Sequence, residues 1–286
     1  MEYSVKFYLI WGLFLVKVFP DSTTEEIKNI IRRFMDGVVE RRIVLEPWDV
    51  EKEKMNKPFH FALAPELVWK GSKFERSLVT VMGQTGWEQI GRTIAQENHG
   101  HAENGRMTTG EISQGKLTQI QTILDELEHK SKNNNRTPNW YHELSEVLAR
   151  NDGDLTTVSV ISDLYVYNPD TEMHYYIELK SPKPNSDQTK ISKEKMLKIE
   201  ALFDGSDLHN VYYALPFNPY GSRDKYAHPH PKRWFDMIQD DVVVMGKELW
   251  DLLGGEGTHE YLLKVFEEVG SEYRPRINRD YFGLDD

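Results

Sequence analysis

Apolar residues recur every three or four positions along much of this chain, the spacing that places them on one face of a helix. After Asp21 the sequence also carries a helix start, because Ser22 or Thr23 can cap the first turn and two glutamates follow. Helical spacing predicts helices at residues 25–43, 71–96, 117–127, 140–150, 192–203 and 258–270.

Runs rich in valine, isoleucine and tyrosine lie between these stretches, a composition that favours strands. Residues 158–167 and 174–180 are two such runs, and the stretch NPDTEM between them carries Asn, Pro and Asp, which are typical of a turn. The two runs therefore predict a β-hairpin. Further strands are predicted at residues 211–217 and 241–246, and polar loops at residues 98–115 and 131–139.

The order of these elements favours a layered domain, because helices come before, between and after the predicted strands. Both an α/β and an α+β arrangement fit that order. With 286 residues, the chain is long enough for one large domain or two small ones.

An apolar run near the N-terminus extends from Phe7 to Val16. It is shorter than the roughly 20 residues that cross a bilayer. Lys6 precedes it as in a signal peptide, but no small-x-small cleavage site follows. A buried helix or an inaccurate translation start is therefore favoured over secretion.

The overall charge of −11 argues against a protein that coats nucleic acid indiscriminately. It does not argue against local DNA binding, because affinity depends on where the basic groups lie. Residues 180–198 hold six lysines against only Asp187 and Glu194. The absence of cysteine excludes disulfides and thiolate metal sites, and it fits a reducing cytoplasm.

Three charged residues interrupt the two runs of the predicted hairpin. Glu178 and Lys180 are two apart in a strand and so share a face, and the hairpin brings Asp163 beside Glu178. Two carboxylates and one ammonium at a sheet edge can hold a divalent cation and orient a water. A solvated cross-strand charge pair is the alternative, but charges within apolar runs are costly and favour a functional role.

The segments ISD (161–163) and IELK (177–180) resemble the core motif of the PD-(D/E)xK nuclease superfamily, with Ser162 where the name has proline. A longer resemblance, to TdeIII-type type II restriction endonucleases, covers most of residues 59–272. It is carried by GSKFERSLVTVMGQTGWEQIG, VISDLYVY, YYIELKSPKPNSDQTKISKEKML, YYALPFNPYG and ELWDLLGGEGTHEYLLKVFEEVG.

This resemblance implies an α/β fold with a restriction-endonuclease-like core, a central mixed β-sheet flanked by helices. It implies one nuclease domain over residues 1–286, with a helical part at about 1–150, a catalytic sheet core at about 155–250 and a C-terminal helix at about 258–270. The implied activity is Mg²⁺-dependent hydrolysis of double-stranded DNA at a short palindromic or near-palindromic site, leaving 5′-phosphate ends. A homodimer and a cognate DNA methyltransferase in the host are implied as well.

The resemblance also implies roles for single residues. Asp163 and Glu178 correspond to the metal ligands, with the Leu179 carbonyl as a third, and Lys180 to the residue that orients or activates the water. A further glutamate ligand is expected on a helix before the sheet. Glu75 fits that place, with Glu88 as its rival and a plain surface carboxylate as the alternative.

Candidates for DNA contact follow Lys180 directly. Lysine is a good phosphate partner, whereas Asn and Gln can read adenine edges. For each residue the alternative is a solvated loop position. The candidates are Lys183, Asn185, Gln188 and Lys190.

Three other features favour simpler interpretations. Two His-x-His pairs, at residues 99–101 and 228–230, are interpreted as loop histidines rather than a zinc site. The glycine-rich residues 254–257 lack the Lys and Ser/Thr of a phosphate-binding loop and predict a link between helices. Core packing is favoured over base stacking for the aromatic residues Tyr212, Tyr213, Phe217 and Tyr220.

Two rival functions remain beside the restriction endonuclease. A structure-specific or repair nuclease would use the same core to cut junctions or ends. A non-catalytic DNA-binding protein would retain the fold without cutting, although the intact Asp163, Glu178 and Lys180 set argues against it.

Overall fold

The computed structural model describes residues 8–11, 14–129 and 135–284. The described residues form two compact units. The helical unit comes from the ranges Met1–Ile90 and Glu260–Asp286, and the sheet unit comes from Gly91–His259. The expectation of a single nuclease domain stays a prediction.

Helices are the commonest elements in the described part of the chain. None of them is long and apolar enough to cross a bilayer. They are α1 (Asp21–Glu40), α2 (Val50–Asn56), α3 (Pro58–Phe61), α4 (Glu66–Val81), α5 (Trp87–His99), α6 (Gln114–Glu128), α7 (Trp140–Leu148), α8 (Ser186–Phe203), α9 (Lys247–Gly254) and α10 (Thr258–Arg276).

Seven strands are described, two in a small N-terminal pair and five in the main sheet. They are β1 (Tyr8–Trp11), β2 (Phe14–Lys17), β3 (His101–Ser113), β4 (Leu155–Asn168), β5 (Met173–Leu179), β6 (His209–Leu215) and β7 (Val243–Met245).

The first helix of the helical unit begins earlier than predicted. Pro20 is the N-cap residue of α1 and no side chain caps the helix, so the prediction of Ser22 or Thr23 as the cap is wrong. Pro20 already has the extended backbone that precedes a first turn, and Thr23 lies inside the helix with its side chain buried. Further along, Val38 and Val39 of α1 pack in a cluster with Phe74 and Tyr281.

The N-terminal apolar run does not form the predicted buried helix where the structure describes it. β1 and β2 pair antiparallel, with Leu9 opposite Val16 and Ile10 opposite Leu15. A short run in which almost every residue is apolar does not distinguish a helix from a strand, which explains the error. Residues 1–7, 12 and 13, including Phe7 at the start of the predicted run, lie outside the described residues.

The sheet unit confirms the central mixed sheet flanked by helices. Its strand order is β3-β4-β5-β6-β7, with antiparallel pairing from β3 to β5 and parallel pairing from β5 to β7. The predicted hairpin is β4 and β5, in a register that places Leu164 opposite Ile177. In its turn, the Asn168 side chain accepts a hydrogen bond from the Asp170 amide at 2.9 Å.

Residues 98–115 were predicted to be a loop, and this is wrong. Most of them form β3, a 13-residue edge strand that pairs with β4 from His101 opposite Tyr167 to Ser113 opposite Leu155. Backbone pairing to β4 holds this strand, and much of its side-chain surface faces solvent, including Met107 at 60% exposure. An edge strand of this kind carries little of the apolar signal that a half-buried strand shows. The helical part predicted for residues 1–150 therefore includes a long strand.

Helix α8 lies against the sheet and against α6 and α7. It begins at Ser186, six residues before the predicted start, because the Asn185 side chain accepts from the Gln188 amide at 2.8 Å and caps it. Lys193 of this helix is fully buried and forms an ion pair with Glu143 of α7, which is buried as well. Lys193 also donates to the Trp234 carbonyl.

Replacing Lys193 tests the importance of this buried pair. Lys193→Ala leaves the Glu143 carboxylate buried without its ammonium, so we expect the free energy of unfolding to fall by about 3–5 kcal/mol. The half-exposed Lys198, which pairs with Glu194 on the same helix, is the control. Its change to Ala is expected to lower stability by less than about 1 kcal/mol.

Urea unfolding of the two variants measures this difference. A double variant, Glu143→Leu with Lys193→Met, removes both charges and fills the space with apolar atoms, so it should recover much of the lost stability. Equal midpoints for Lys193→Ala and Lys198→Ala would contradict a structural role for the buried pair.

Candidate active site

Asp163 and Glu178 lie on neighbouring strands, near the C-terminal end of β5. The β4–β5 pairing ends with Leu164 opposite Ile177, and Asp163 and Glu178 are the next residues along the two strands. The Glu178 side chain is 1% exposed, whereas that of Asp163 is 21% exposed. The Leu179 amide donates to Asp163 Oδ2 at 2.9 Å, which fixes the orientation of that carboxylate.

Lys180 completes the predicted trio. Its Nζ lies 2.5 Å from Asp163 Oδ2, 3.0 Å from the Leu179 carbonyl oxygen and 3.3 Å from Glu178 Oε2. Its backbone amide donates to the Ala214 carbonyl at 3.0 Å, which holds the residue at the end of the parallel ladder. Three oxygen atoms from three predicted metal-binding residues therefore converge on one positive charge.

Lys195 is a second lysine in this cluster, and the sequence interpretation missed it. It projects from α8, and its Nζ lies 2.7 and 2.9 Å from the two oxygens of Glu178 and 3.9 Å from Asp163 Oδ1. The sequence shows a lysine-rich helix, but the face of that helix that meets the sheet depends on tertiary packing. The lysine run after Glu178 was the only signal available.

The cluster holds the carboxylates of Asp163 and Glu178 and the ammonium groups of Lys180 and Lys195, so its charges balance. Burial raises the pKa of Glu178, and the neighbouring Asp163 charge adds to that effect, while Lys180 and Lys195 oppose it. Burial by itself would lower the pKa of Lys180, but the charges of Glu178 and Asp163 outweigh it and the pKa is raised. Lys180 is therefore an ammonium at neutral pH.

The donor set fits Mg²⁺. Carboxylate and carbonyl oxygens are its preferred protein ligands, and it keeps several waters. Among the described residues, no group of three or more His, Asp or Glu side chains is placed to hold a metal. The two carboxylates and the Leu179 carbonyl are the oxygen donors that this cluster brings together. The Lys180 ammonium lies among these same oxygens, and a cation bound there would displace it.

Glu75 and Glu88 both belong to the helical unit. Glu75 is exposed on α4, and Glu88 is half-buried on α5. A role for either of them as a metal ligand stays a prediction.

Two of the predicted DNA-contact residues have structural partners. Asn185 caps α8 through the Gln188 amide. Lys190 forms an ion pair with Glu128 of α6, and its Nζ lies 5.7 Å from the Trp234 ring centroid. These contacts hold the start of α8 against its neighbours.

Lys183 and Gln188 are exposed beside this capped helix start. Lys183 Nζ lies 5.8 Å from the Tyr220 ring centroid. The backbone next to Lys183 is held in place, because the His228 ring contacts the Pro184 carbonyl at 2.9 Å. Both side chains are therefore presented on an ordered segment, and their contact with DNA stays a prediction.

The structure also shows where the two histidine pairs and the glycine-rich residues 254–257 lie. His99 ends α5 and His101 begins β3, so their assignment to a loop is wrong, whereas His228 and His230 do lie in a loop. Residues 254–257 link α9 to α10 as predicted. A side chain at Gly254 would meet Thr258 Oγ1 at 2.4 Å, which explains the glycine at this junction.

The aromatic residues after β5 divide into core and surface. Tyr213 is completely buried and stacks on Phe235 at 4.6 Å, which confirms core packing for this residue. Tyr220 packs against the same core from its edge. Phe217 is 45% exposed and lies beyond β6, which ends at Leu215, so the prediction of core packing is wrong for it.

Comparisons with known proteins identify the family of this chain. The chain matches the family described as type II restriction endonuclease, HinfI, over residues 23–270. It is 30% identical to the type II restriction enzyme HgiEI of Herpetosiphon aurantiacus over 261 residues, 87% of this chain and 93% of the relative. It is 30% identical to HgiCII of the same organism over 273 residues, 90% and 97% of the two chains.

A more distant relative comes from a second organism. The type II restriction enzyme MjaII of Methanocaldococcus jannaschii is 24% identical over 288 residues, 89% of this chain and 73% of the relative. The resemblance to type II restriction endonucleases is confirmed, and the family match begins at residue 23, well before residue 59. The narrower TdeIII-type resemblance stays a prediction.

Removing the Lys180 ammonium tests whether it occupies the cation position. Lys180→Ala frees three oxygens and leaves the cluster with one excess negative charge, so we expect it to bind Mg²⁺ about tenfold more tightly than the unaltered protein, or about 1.4 kcal/mol. Isothermal titration calorimetry measures the affinity. Lys183→Ala removes an exposed lysine outside the cluster and should leave it unchanged. Unchanged Mg²⁺ affinity in Lys180→Ala would show that the ion binds away from this cluster.

Proposed function

We propose that this chain, which belongs to the HinfI family of type II restriction endonucleases, hydrolyses double-stranded DNA at a short palindromic or near-palindromic site and requires Mg²⁺. Family membership establishes a nuclease whose substrate is DNA. The proposal of metal-dependent cleavage rests on one observation. Asp163, Glu178 and the Leu179 carbonyl all contact the Lys180 ammonium. That arrangement fits the PD-(D/E)xK type of nuclease site.

These three residues would hold the metal. When bound there, Mg²⁺ neutralises charge on the phosphoryl oxygens and lowers the pKa of a bound water. The Leu179 amide keeps the Asp163 carboxylate oriented, and Lys195 does the same for Glu178 through both carboxylate oxygens. Both carboxylates thus have a further contact that holds them in place.

Lys180 would act on the attacking water. Once its Nζ leaves the oxygens that now surround it, the side chain still extends from the end of β5 beside both carboxylates. From there it donates to the water and stabilises the negative charge that develops during attack. The water oxygen bonds to phosphorus, the bond to the 3′ oxygen breaks, and a proton passes to that oxygen. The products are a 5′-phosphate and a 3′-hydroxyl.

A homodimer is part of the proposal. A palindromic site has two-fold symmetry, and two copies of one chain related by a two-fold axis match it with one active site for each strand. A host that carries such an enzyme needs a methyltransferase that protects the same sequence. No contact between that methyltransferase and this chain is proposed.

Plasmid digestion tests the activity. We expect purified protein with Mg²⁺ to produce discrete fragments that share one end sequence and carry 5′-phosphates, because a site-specific enzyme cuts every copy of one sequence. Sequencing the ends measures this. Cutting only at junctions or ends would indicate a structure-specific nuclease, and no cutting with any divalent metal would indicate a non-catalytic DNA-binding protein.

Substitutions in the cluster test the assignment of the site. Asp163→Asn, Glu178→Gln and Lys180→Ala are each expected to slow cutting by at least about 100-fold, because each removes a charge that acts on the metal or the transition state. Specific DNA binding in Ca²⁺ should persist. Glu194→Gln changes a glutamate on the surface of α8 that pairs with Lys198 and serves as the control. Normal cutting by Glu178→Gln would show that the site is wrongly assigned.

A further inference from the structure

The helical unit contains a cavity of about 290 Å³ that the proposed chemistry does not use. It lies among α2, α4 and the helical turn after α1. The side chains at its wall include four that carry positive charge and one carboxylate. Those that matter here are Arg42, Glu53, Lys57, Trp69, Lys73 and Arg76.

Two of these cations are already paired. Arg42 is 9% exposed and reaches Ser77 Oγ at 2.6 Å and Glu46 at 3.1 Å. Lys73 Nζ lies 2.6 Å from Glu53, the carboxylate in the wall. The pairing holds both cations in position at the cavity.

The other two cations carry the excess charge. Among the described residues, neither Lys57 nor Arg76 has a carboxylate within 4.0 Å. Both are exposed at the cavity. In a chain with a net charge of −11, a cavity with this local positive excess is selective for an anion.

The Trp69 ring also lines the cavity, and its indole N–H is buried without a partner among the described residues. An anion with several oxygen atoms would accept from the exposed guanidinium of Arg76 and pair with the ammonium of Lys57.

We infer that this cavity binds a non-scissile phosphate of the DNA backbone. The inference rests on the proposed function for its ligand, because DNA is the phosphate-bearing substrate of that reaction. A phosphate contact positions DNA without reading bases, so this site contributes affinity that is independent of sequence. It is separate from the carboxylate cluster in composition, since the cavity has excess cations and the cluster has balanced charges.

Salt dependence of DNA binding tests the inference. The logarithm of the binding constant falls with the logarithm of salt concentration, with a slope of about −0.9 for each phosphate contact. We expect Lys57→Ala and Arg76→Ala, each placed in a Glu178→Gln background that does not cut, to make this slope shallower by about one unit. Affinity should fall by the same factor for a duplex with the recognition site and for one without it.

The measurement uses fluorescence anisotropy of a labelled duplex at four or more salt concentrations. The recognition site in it is the end sequence found by plasmid digestion. Lys54→Ala is the matched control, because Lys54 lies on α2 and pairs with Glu51 outside the cavity wall. It is expected to keep the slope of the Glu178→Gln protein.

The outcomes separate this inference from the proposed function. If the Glu178→Gln protein does not bind DNA at all, the proposed function fails. If it binds DNA and the Lys57 and Arg76 variants keep its slope, the proposed function stands and the phosphate site is overturned. Calorimetry with deoxyadenosine monophosphate tests whether the cavity binds a free nucleotide instead. Binding lost in Arg76→Ala, with an unchanged DNA slope, would assign the cavity to a free nucleotide and overturn the DNA assignment.

Discussion

The buried negative charge of Glu178 is the constraint on which the candidate active site depends. A carboxylate that is 1% exposed is stable as an anion only where other groups compensate for its lost hydration. Here Lys180 comes from the same strand and Lys195 from α8. The strand register, the length of β5 and the position of α8 must all be correct for these groups to meet. The site and the sheet unit that contains it are therefore specified together.

Helix α8 links that site to the core of the sheet unit. Successive residues of a helix are about 100° apart, so Lys193 and Lys195 point in nearly opposite directions. Lys193 is fully buried against Glu143 on one side, and Lys195 reaches Glu178 on the other. Two ion pairs on opposite faces allow little rotation of α8 about its axis. The buried pair on one face of α8 thus helps to position a lysine of the opposite face at the candidate active site.

Local patterns were enough to predict that Asp163, Glu178 and Lys180 lie close together, because strand alternation and a turn sequence place all three at one hairpin. Features that depend on tertiary packing were missed. Lys195 meets Glu178 only when α8 docks, and no spacing between the two residues encodes that docking. β3 was missed since an exposed edge strand is stabilised by backbone pairing more than by an apolar face. The pairing of Lys190 with Glu128 also depends on packing, and contact between Lys190 and DNA stays a prediction.

The carboxylate cluster and the cavity of the helical unit differ in the charges that a phosphate would contact. At the carboxylate cluster, two negative and two positive groups balance, so a phosphate gains little attraction until a divalent cation adds its charge. At the cavity of the helical unit, Lys57 and Arg76 lack carboxylate partners among the described residues, and a phosphate is attracted without any metal. Cutting would therefore depend on the metal, whereas a large part of the affinity for DNA would not. Such a division lets an enzyme bind DNA before the metal-dependent step begins.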